Sequence, residues 1–492
     1  MWLRNDLRLA DNPALTAAAS EGRPLVIVYI HDETGDGIRP LGSASKWWLH
    51  HSLTALDAAL RKLGGQLTLR HGPAAHVMPA LVEELDAASV HWNRRYTTAR
   101  DIDAALKTHL RERGLTVESH QGNLLNEPWQ IRNGQGEAYK VFTPYWRAAQ
   151  DRPVRDALPA PVAAELSWPT GDPAASTSDP ADPADGSPTR APASDTLADW
   201  NLLPTHPDWA DGLRDTWTPG EAGAHDRLDG FVVERLADYH RRDEPAVDAT
   251  SGLSPHLRFG EISPTQIWQR LRGSGAATVP TSAHTNVAKF LSEIGWREFS
   301  AALLFDNPRL ATDSYRPAYN AFPWGYTVDQ IGDVDEPAGI NEVEAWRRGR
   351  TGIPLVDAGM RELWHTGTMH NRVRMVVASF LIKNLLIDWR VGEQWFWDTL
   401  VDADEASNPA NWQWVAGSGA DAAPYFRVFN PVLQQKKFDP AGDYVSRWIP
   451  ELGTDAYPEP IVDLAETRRD ALEAYNAVKA AANDQATTSS RS

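Results

Sequence analysis

Not one of the 492 residues is cysteine. Disulfides, cysteine-built zinc sites and cysteine-ligated iron–sulfur clusters are therefore excluded, and no metal-ligand set is expected from the rest of the sequence. No Lys/Arg-led apolar segment opens the chain, and no run of about 18 uninterrupted apolar residues could span a membrane. A cytoplasmic protein with no membrane partner is expected. Cations are scarce: 48 Lys and Arg face 66 Asp and Glu, a formal charge of −18. That argues against a protein that coats nucleic acid generally, because phosphate binding relies on Lys and Arg releasing counterions. It leaves room for a local basic groove, for which Arg347, Arg348, Arg350, Arg372, Arg374, Arg427, Lys436 and Lys437 are candidates. No GxGxxG follows a strand and no P-loop is present, so the motifs of the usual dinucleotide and triphosphate sites are missing. Nor is there an internal repeat on the order of 20–50 residues.

What is present divides the chain. Over residues 1–125, short β-like runs alternate with amphipathic helices. PLVIVYI, QLTLRHG, SVHWNRR and LTVESHQ read as strands, and SKWWLHHSLTALDAALRKLG, HVMPALVEELDA and DIDAALKTHLRERG as helices. This alternation predicts a doubly wound, parallel-sheet α/β domain. Residues 126–215 read as an interdomain connection. Within it, about 169–195 is low-complexity and rich in Pro, Ala, Ser and Asp, too poor in apolar residues to offset the entropy of ordering. Residues 216–482 carry helical periods, with Ser/Thr caps and Pro at helix starts in DATSGLSPHLRFGEISPTQIWQRLRG. Residues 483–492 read as a disordered tail.

The densest stretch runs from Arg350 to Pro431 and contains TMHNRVRM, LLIDWR, VDADEASNPANWQW and DAAPYFRVFNP. Ordinary helical cores use Leu, Ile and Val. Asp, Asn and Arg buried here must find hydrogen-bonding partners in one another or in a large polar ligand, or cost several kcal/mol each. A second stretch, Thr250 to Ser254, places hydroxyls and backbone N–H groups just before a helix. Taken alone it reads as a simple N-cap, and as an anion site only with further support.

From TGIPLVDAGMRELWHTGTMHNRVRM through DAAPYFRVFNP, and in the opening WLRNDLRLADNPAL, the chain resembles the DNA photolyase/cryptochrome family, most of all the bacterial class I cyclobutane-dimer photolyases. The likeness extends from Trp2 to about Tyr475, broken by the low-complexity segment. It implies an antenna-type α/β domain, a surface linker and a helical FAD-binding domain. The lack of cysteine separates the chain from the branch that carries an iron–sulfur cluster. The family has a short apolar strand before the opening motif, where this chain has only Met1. Either the start was assigned late or the first strand is clipped.

The same resemblance implies FAD as cofactor, held by Tyr239, by Thr250, Ser251, Gly252, Leu253 and Ser254 at the pyrophosphate, and by Phe290, Arg297, Asn371, Arg374, Asp402, Ala403 and Asp404. Asn408 is expected to face flavin N5, where plant cryptochromes carry Asp. Gly252 departs from the Arg or Lys common in relatives, and Thr368 from a Trp or Tyr. The chain is one residue shorter than many relatives between Tyr239 and Pro245. A second antenna chromophore, folate or deazaflavin, is left unassigned, because RRYTTARD does not reproduce the Asn-Glu pair of the folate-binding form. The DNA-binding set implied is Arg242, Glu293, Trp296, Asn371, Arg372, Met375, Trp414 and Gln434. His370 reads as a packed or capping histidine.

The activity implied is light-driven repair. An electron passes from reduced FAD to a cyclobutane pyrimidine dimer flipped out of DNA, with Glu293 stabilising the dimer and Trp412, Trp389 and Trp324 relaying electrons for photoreduction. General principles already place photolyases among base flippers. A monomer acting on dimer-containing DNA is expected. The alternative is a cryptochrome-like photoreceptor that binds FAD without repair, and the combination of Glu293, Trp296, Met375 and Asn408 favours repair. A dark flavin oxidase has no second-substrate motif to support it.

Overall fold

The computed structural model describes residues 1–169, 191–328, 337–422 and 426–489, with side chains assigned outside 337–341 and 481–489. The low-complexity segment expected at about 169–195 falls mostly outside these residues.

The N-terminal domain alternates as its sequence predicts: β1 Trp2–Leu3, α1 Pro13–Ser20, β2 Ile27–His31, α2 Ser43–Lys62, β3 Leu67–His71, α3 Ala74–Glu84, β4 Ser89–Asn93, α4 Arg100–Glu112 and β5 Thr116–His120. All ladders are parallel. β1 pairs with β2 (Trp2 opposite Val28), β2 with β3 (Ile27 opposite Leu67), and β4 with β5 (Ser89 opposite Thr116). The strands form two ladders, 3-2-1 and 4-5, with β4 packed beside β1. β1 is only two residues long because the next backbone N–H, that of Arg4, donates to the Asp6 side chain at 2.6 Å rather than to a strand. One sheet face buries Trp2, Val28, Val90, Trp92 and Val117 against α3 and α4. Parallel strands covered on both faces read as near-continuous apolar runs, which is why periodicity located them.

After α5 (Phe142–Gln150), the second half is helical. The helices that position the site are α6 Asp211–Thr216, α7 Glu221–Gly230, α8 Ser254–Phe259, α9 Pro264–Arg272, α10 His284–Asp306, α11 Pro337–Arg347, α12 Pro354–Thr366, α13 Asn371–Ser379, α14 Trp389–Thr399 and α15 Ser407–Ala416. They are followed by α16 Pro431–Phe438, α17 Asp443–Trp448 and α18 Leu464–Ser489. Pro begins α9, α12 and α16, where its missing N–H costs nothing. α18 continues through 483–489, where a tail is expected, because the Ala-rich sequence leading into it favours helix. No helix among the described residues is long and apolar enough to cross a membrane.

Two π-helical turns, Phe231–Arg235 and Phe380–Asn384, extend α7 and α13. Such turns interrupt the regular backbone bonding and recur near functional sites.

The halves are joined by buried polar contacts. Glu261 accepts from Trp48 Nε1 at 3.0 Å and from the Gly220 backbone N–H at 2.8 Å, while its other oxygen lies 2.5 Å from His256 Nδ1. Gly260 has φ +66°, and a Cβ there would lie 2.0 Å from the Asn5 carbonyl oxygen. Only glycine allows the helical half to approach the α/β domain so closely at that point.

Candidate active site

The densest sequence stretch forms one apolar cluster that includes Trp346, Trp389 and Trp412, with Trp324 and Trp414 packed at its margin. Trp412 is buried in α15. Its ring meets Phe396 edge-on at 4.9 Å and Trp346 at 6.4 Å. Gly392 of α14 makes room, since a Cβ there would fall 2.1 Å from the Trp412 ring. Trp389 is fully buried, with Arg390 over its ring at 4.6 Å. Trp324 is half-buried and packs on Phe322 at 4.3 Å. The structure thus gathers the three expected relay residues around one core, and adds Trp346 in direct contact with the first of them.

Polar groups line the same region. Arg374 donates to the Met369 carbonyl at 2.7 Å and lies 3.1 and 3.2 Å from the two oxygens of Asp402. Asp404 accepts from the Ala406 and Ser407 N–H groups, fixing the start of α15, and the Ala403 carbonyl accepts from Arg258 Nε at 2.6 Å. Asn408 Nδ2 donates to the backbone oxygen of Glu393 at 3.0 Å and to its carboxylate at 2.8 Å. Arg39, from the α/β domain, forks onto the same carboxylate at 2.7 and 2.8 Å. Neither Glu393 nor Arg39 is conspicuous in the sequence. They lie 354 positions apart, and nothing in the sequence links them.

At the Thr250–Ser254 loop, the Ser251 hydroxyl accepts from the Leu253 N–H at 3.3 Å, and Leu253 is buried. Gly252 has φ +64°, and a Cβ there would sit 2.5 Å from Arg227 Nη1. A side chain at this position would therefore be strained, and Arg227 supplies a guanidinium to the same spot from α7. Burial, then the neighbouring Arg235, pushes Arg227 below its ordinary pKa, and Asp248 only partly offsets this. Arg235 Nε is buried without a hydrogen-bonding partner. Two guanidiniums with one partial counter-charge form a donor set suited to a diphosphate. Sequence reasoning missed both arginines because they precede the loop on a separate helix.

Tyr239 is buried, edge-on to Phe231 at 5.7 Å and to Phe290 at 5.4 Å, and burial raises its phenol pKa. Arg297 donates to the Asn123 and Leu257 carbonyls at 2.8 and 3.3 Å, tying α10 to the α/β domain. The remaining residues lie on α10, α13, α15, α16 and the turn after Tyr239. Trp296 stacks on Phe142, with centroids 3.8 Å apart and planes inclined 10°. Glu293 lies 3.1 Å from Lys289 and 3.9 Å from Arg242, and Arg242 covers the Tyr239 ring at 5.4 Å. Arg372 pairs with Asp243 at 2.9 Å and covers the Phe438 ring at 4.4 Å. Its Nη1 lies 3.8 Å from Met375 Sδ. Asn371 is exposed at the first turn of α13. Trp414 Nε1 donates to the Asp421 carbonyl at 3.1 Å, and Gln434 Oε1 is buried without a partner. His370 caps α13: its Nδ1 accepts from the Arg372 N–H at 3.2 Å, and burial lowers its pKa to about 4.

Comparison with known proteins gives one consistent answer. A family model described as "DNA photolyase" matches residues 1–163, and one described as "FAD binding domain of DNA photolyase" matches residues 290–454. The chain is 47% identical to the deoxyribodipyrimidine photo-lyase of Agrobacterium fabrum, over 97% of this chain and 98% of that one. It is 36% identical to Arabidopsis thaliana cryptochrome-2, over 92% of this chain and 70% of that one. A crystal structure of a bacterial class III photolyase from Agrobacterium tumefaciens superposes with a TM-score of 0.86 at 46% identity, covering 97% of each chain. The motifs read from the sequence were matched to class I enzymes, whereas this solved relative carries the class III designation.

Proposed function

The chain belongs to the DNA photolyase/cryptochrome family, and we propose that it is a light-dependent repair enzyme that splits cyclobutane pyrimidine dimers in DNA. FAD is its cofactor, supplying the light-driven electron that breaks the dimer's two ring bonds. The observation that carries the reading is the pairing of two features: a cofactor-type interior built on Arg227, Arg235, Arg374, Asp402 and Asn408, and an adjacent aromatic and acidic face built on Trp296 and Glu293.

Each residue set has its own task. Arg227, Arg235 and the Thr250–Ser254 backbone hold the diphosphate. Asp402 and Arg374 fix the cofactor's polar edge, and Asn408 presents a neutral amide whose carbonyl oxygen is left available while its nitrogen is tied to Glu393. On the open side, Trp296 and Trp414 stack the flipped pyrimidines, an interaction worth roughly 1–3 kcal/mol per base. Glu293 and Asn371 hydrogen-bond the base edges, Met375 meets the methyl groups, and Arg242, Arg372 and Gln434 position the strand. Trp412, Trp389 and Trp324 relay electrons inward to restore the reduced cofactor.

A crevice beyond the carboxyl ends of β1 and β2 is lined by Trp2, Tyr29, Arg4, Arg39, Arg95 and Arg258. It suits a second, light-gathering chromophore. The protein works as a cytoplasmic monomer in this reading, which sedimentation of the purified protein tests. A cryptochrome-like photoreceptor is the alternative, and Asn408 weighs against it. The deciding experiment follows thymine absorbance in dimer-containing oligothymidylate mixed with prereduced protein under blue light. Recovery in light alone is expected; no recovery with FAD bound and reduced would favour the photoreceptor.

A further inference from the structure

Away from the cofactor interior, β4 and β5 pair with His91 opposite Glu118 and Asn93 opposite His120. Side chains alternate faces along a strand, so His91, Glu118 and His120 share one face, the one covered by α1. Among the described residues they form a group of ligand-type side chains whose donor atoms all lie within 4.8 Å of one another. We propose that His91, His120 and Glu118 form a binding site for a divalent first-row cation of the zinc type, clamping the edge strand β5 to β4.

Three observations carry this. The first is spacing: His91 Nδ1 and His120 Nε2 are 3.3 Å apart. Two nitrogens bound tetrahedrally to one ion at about 2.0–2.1 Å would be separated by roughly 3.3–3.4 Å. Glu118 Oε2 lies 3.9 Å from the same His120 nitrogen, close enough for a small rotation of an exposed side chain to complete a third ligand. The second is tautomer. His91 Nε2 is 2.8 Å from Glu21 Oε1, and a carboxylate only accepts, so Nε2 carries a proton and, in the neutral imidazole, Nδ1 presents its lone pair toward His120. Glu21 is fixed in turn by the Ser89 hydroxyl at 2.6 Å. A carboxylate bonded to the far nitrogen is the usual companion of a metal-ligating histidine. The third is position. His91 is buried, His120 half-buried and Glu118 exposed, so the ion would be gripped from inside with a coordination place open to water.

The cations facing His120 are already engaged. Arg94 pairs with Glu127 at 2.6 Å, and Lys107 donates to the Ser119 hydroxyl at 2.9 Å. Two carboxylates, Glu118 and Glu21, offset the ion's charge. The competing arrangement is a plain hydrogen bond between the imidazoles with no ion bound.

The test uses FAD-loaded protein without an affinity tag, titrated with Zn2+ by calorimetry and checked for stoichiometry by equilibrium dialysis. One Zn2+ per chain is expected, with a rise in the thermal midpoint. His120→Ala should weaken binding at least a hundredfold and Glu118→Gln about tenfold. Glu21→Gln, which touches no ion, should cost about ten- to a hundredfold. His109→Ala, on the exposed surface of α4, should change nothing. His120 ends its strand and the Glu118 side chain is 53% exposed, so both variants are expected to fold. Absence of stoichiometric binding, or undiminished binding in His120→Ala, would overturn the proposal and leave the hydrogen-bonded pair.

Discussion

Asn408 Nδ2 donates to the Glu393 carboxylate at 2.8 Å, and the oxygen that receives it is the one 2.7 Å from Arg39 of the other domain. The residue expected at flavin N5 is therefore oriented by a buried carboxylate whose charge is balanced across the domain boundary. The contact fixes the orientation of the Asn408 amide: its nitrogen is held by Glu393, and in the proposed site the carbonyl oxygen is the end offered to the cofactor.

Arg39→Ala should strand that carboxylate in a buried setting. Removing one partner of a buried pair costs about 3–5 kcal/mol, and the partial exposure of Arg39 places the expected loss near the lower end. Denaturant midpoints of wild type and variant measure it directly. Unchanged stability would mean that solvent replaces Arg39 and that Glu393 depends on Asn408 alone.

The α/β half was legible because its periodicity is local: strands are near-continuous apolar runs, and α2 and α4 repeat their apolar positions at helical spacing. The cluster around Trp412 was legible by motif, and of the two readings open for His370, packed or capping, the structure shows the cap, whose partner lies in the same turn. What escaped were partners made only by folding. Arg227 reaches the Gly252 loop from a separate helix, Arg39 meets Glu393 across 354 positions, and His91 meets His120 across a ladder. Arg297 carries no signal in the sequence that it would donate to the Asn123 carbonyl.

Trp412→Phe keeps the aromatic volume against Phe396 and Trp346 but removes the indole that loses an electron readily. Photoreduction of the oxidised holoprotein should slow by an order of magnitude or more, while repair by chemically prereduced protein stays within about twofold. Stopped illumination with an external reductant separates the two. Failure of the prereduced variant to repair would assign Trp412 to the chemistry itself.

Glu293 is paired with Lys289 at 3.1 Å on the face beside Trp296, outside the cofactor interior. Glu293→Ala should therefore retain FAD and lower the repair yield by about ten- to a hundredfold, at or below the effect of removing one charge-stabilising group from an active site. Glu293→Gln should fall between. Loss of flavin with normal repair per bound cofactor would show that the side chain is structural.

Glu298, buried in α10, accepts the backbone N–H groups of Leu125 and Asn126 at 2.9 and 3.0 Å. Burial pushes its pKa up to about 7, against the opposing pull of Arg297 and these two hydrogen bonds. The folded value thus lies above the unfolded one of 4.5. Between the two, the native state holds a proton that the unfolded chain has released, so stability is fully present below the unfolded value and declines as pH rises through the folded one. One pKa unit corresponds to about 1.4 kcal/mol, so the loss across the window is on the order of 3 kcal/mol. Glu298→Gln should flatten this part of the stability profile while lowering its level, because the amide nitrogen cannot accept the second N–H. Denaturation series at successive pH values measure both effects. An unchanged slope in the variant would assign the pH dependence to other groups and leave Glu298 ionised in its nest of N–H donors.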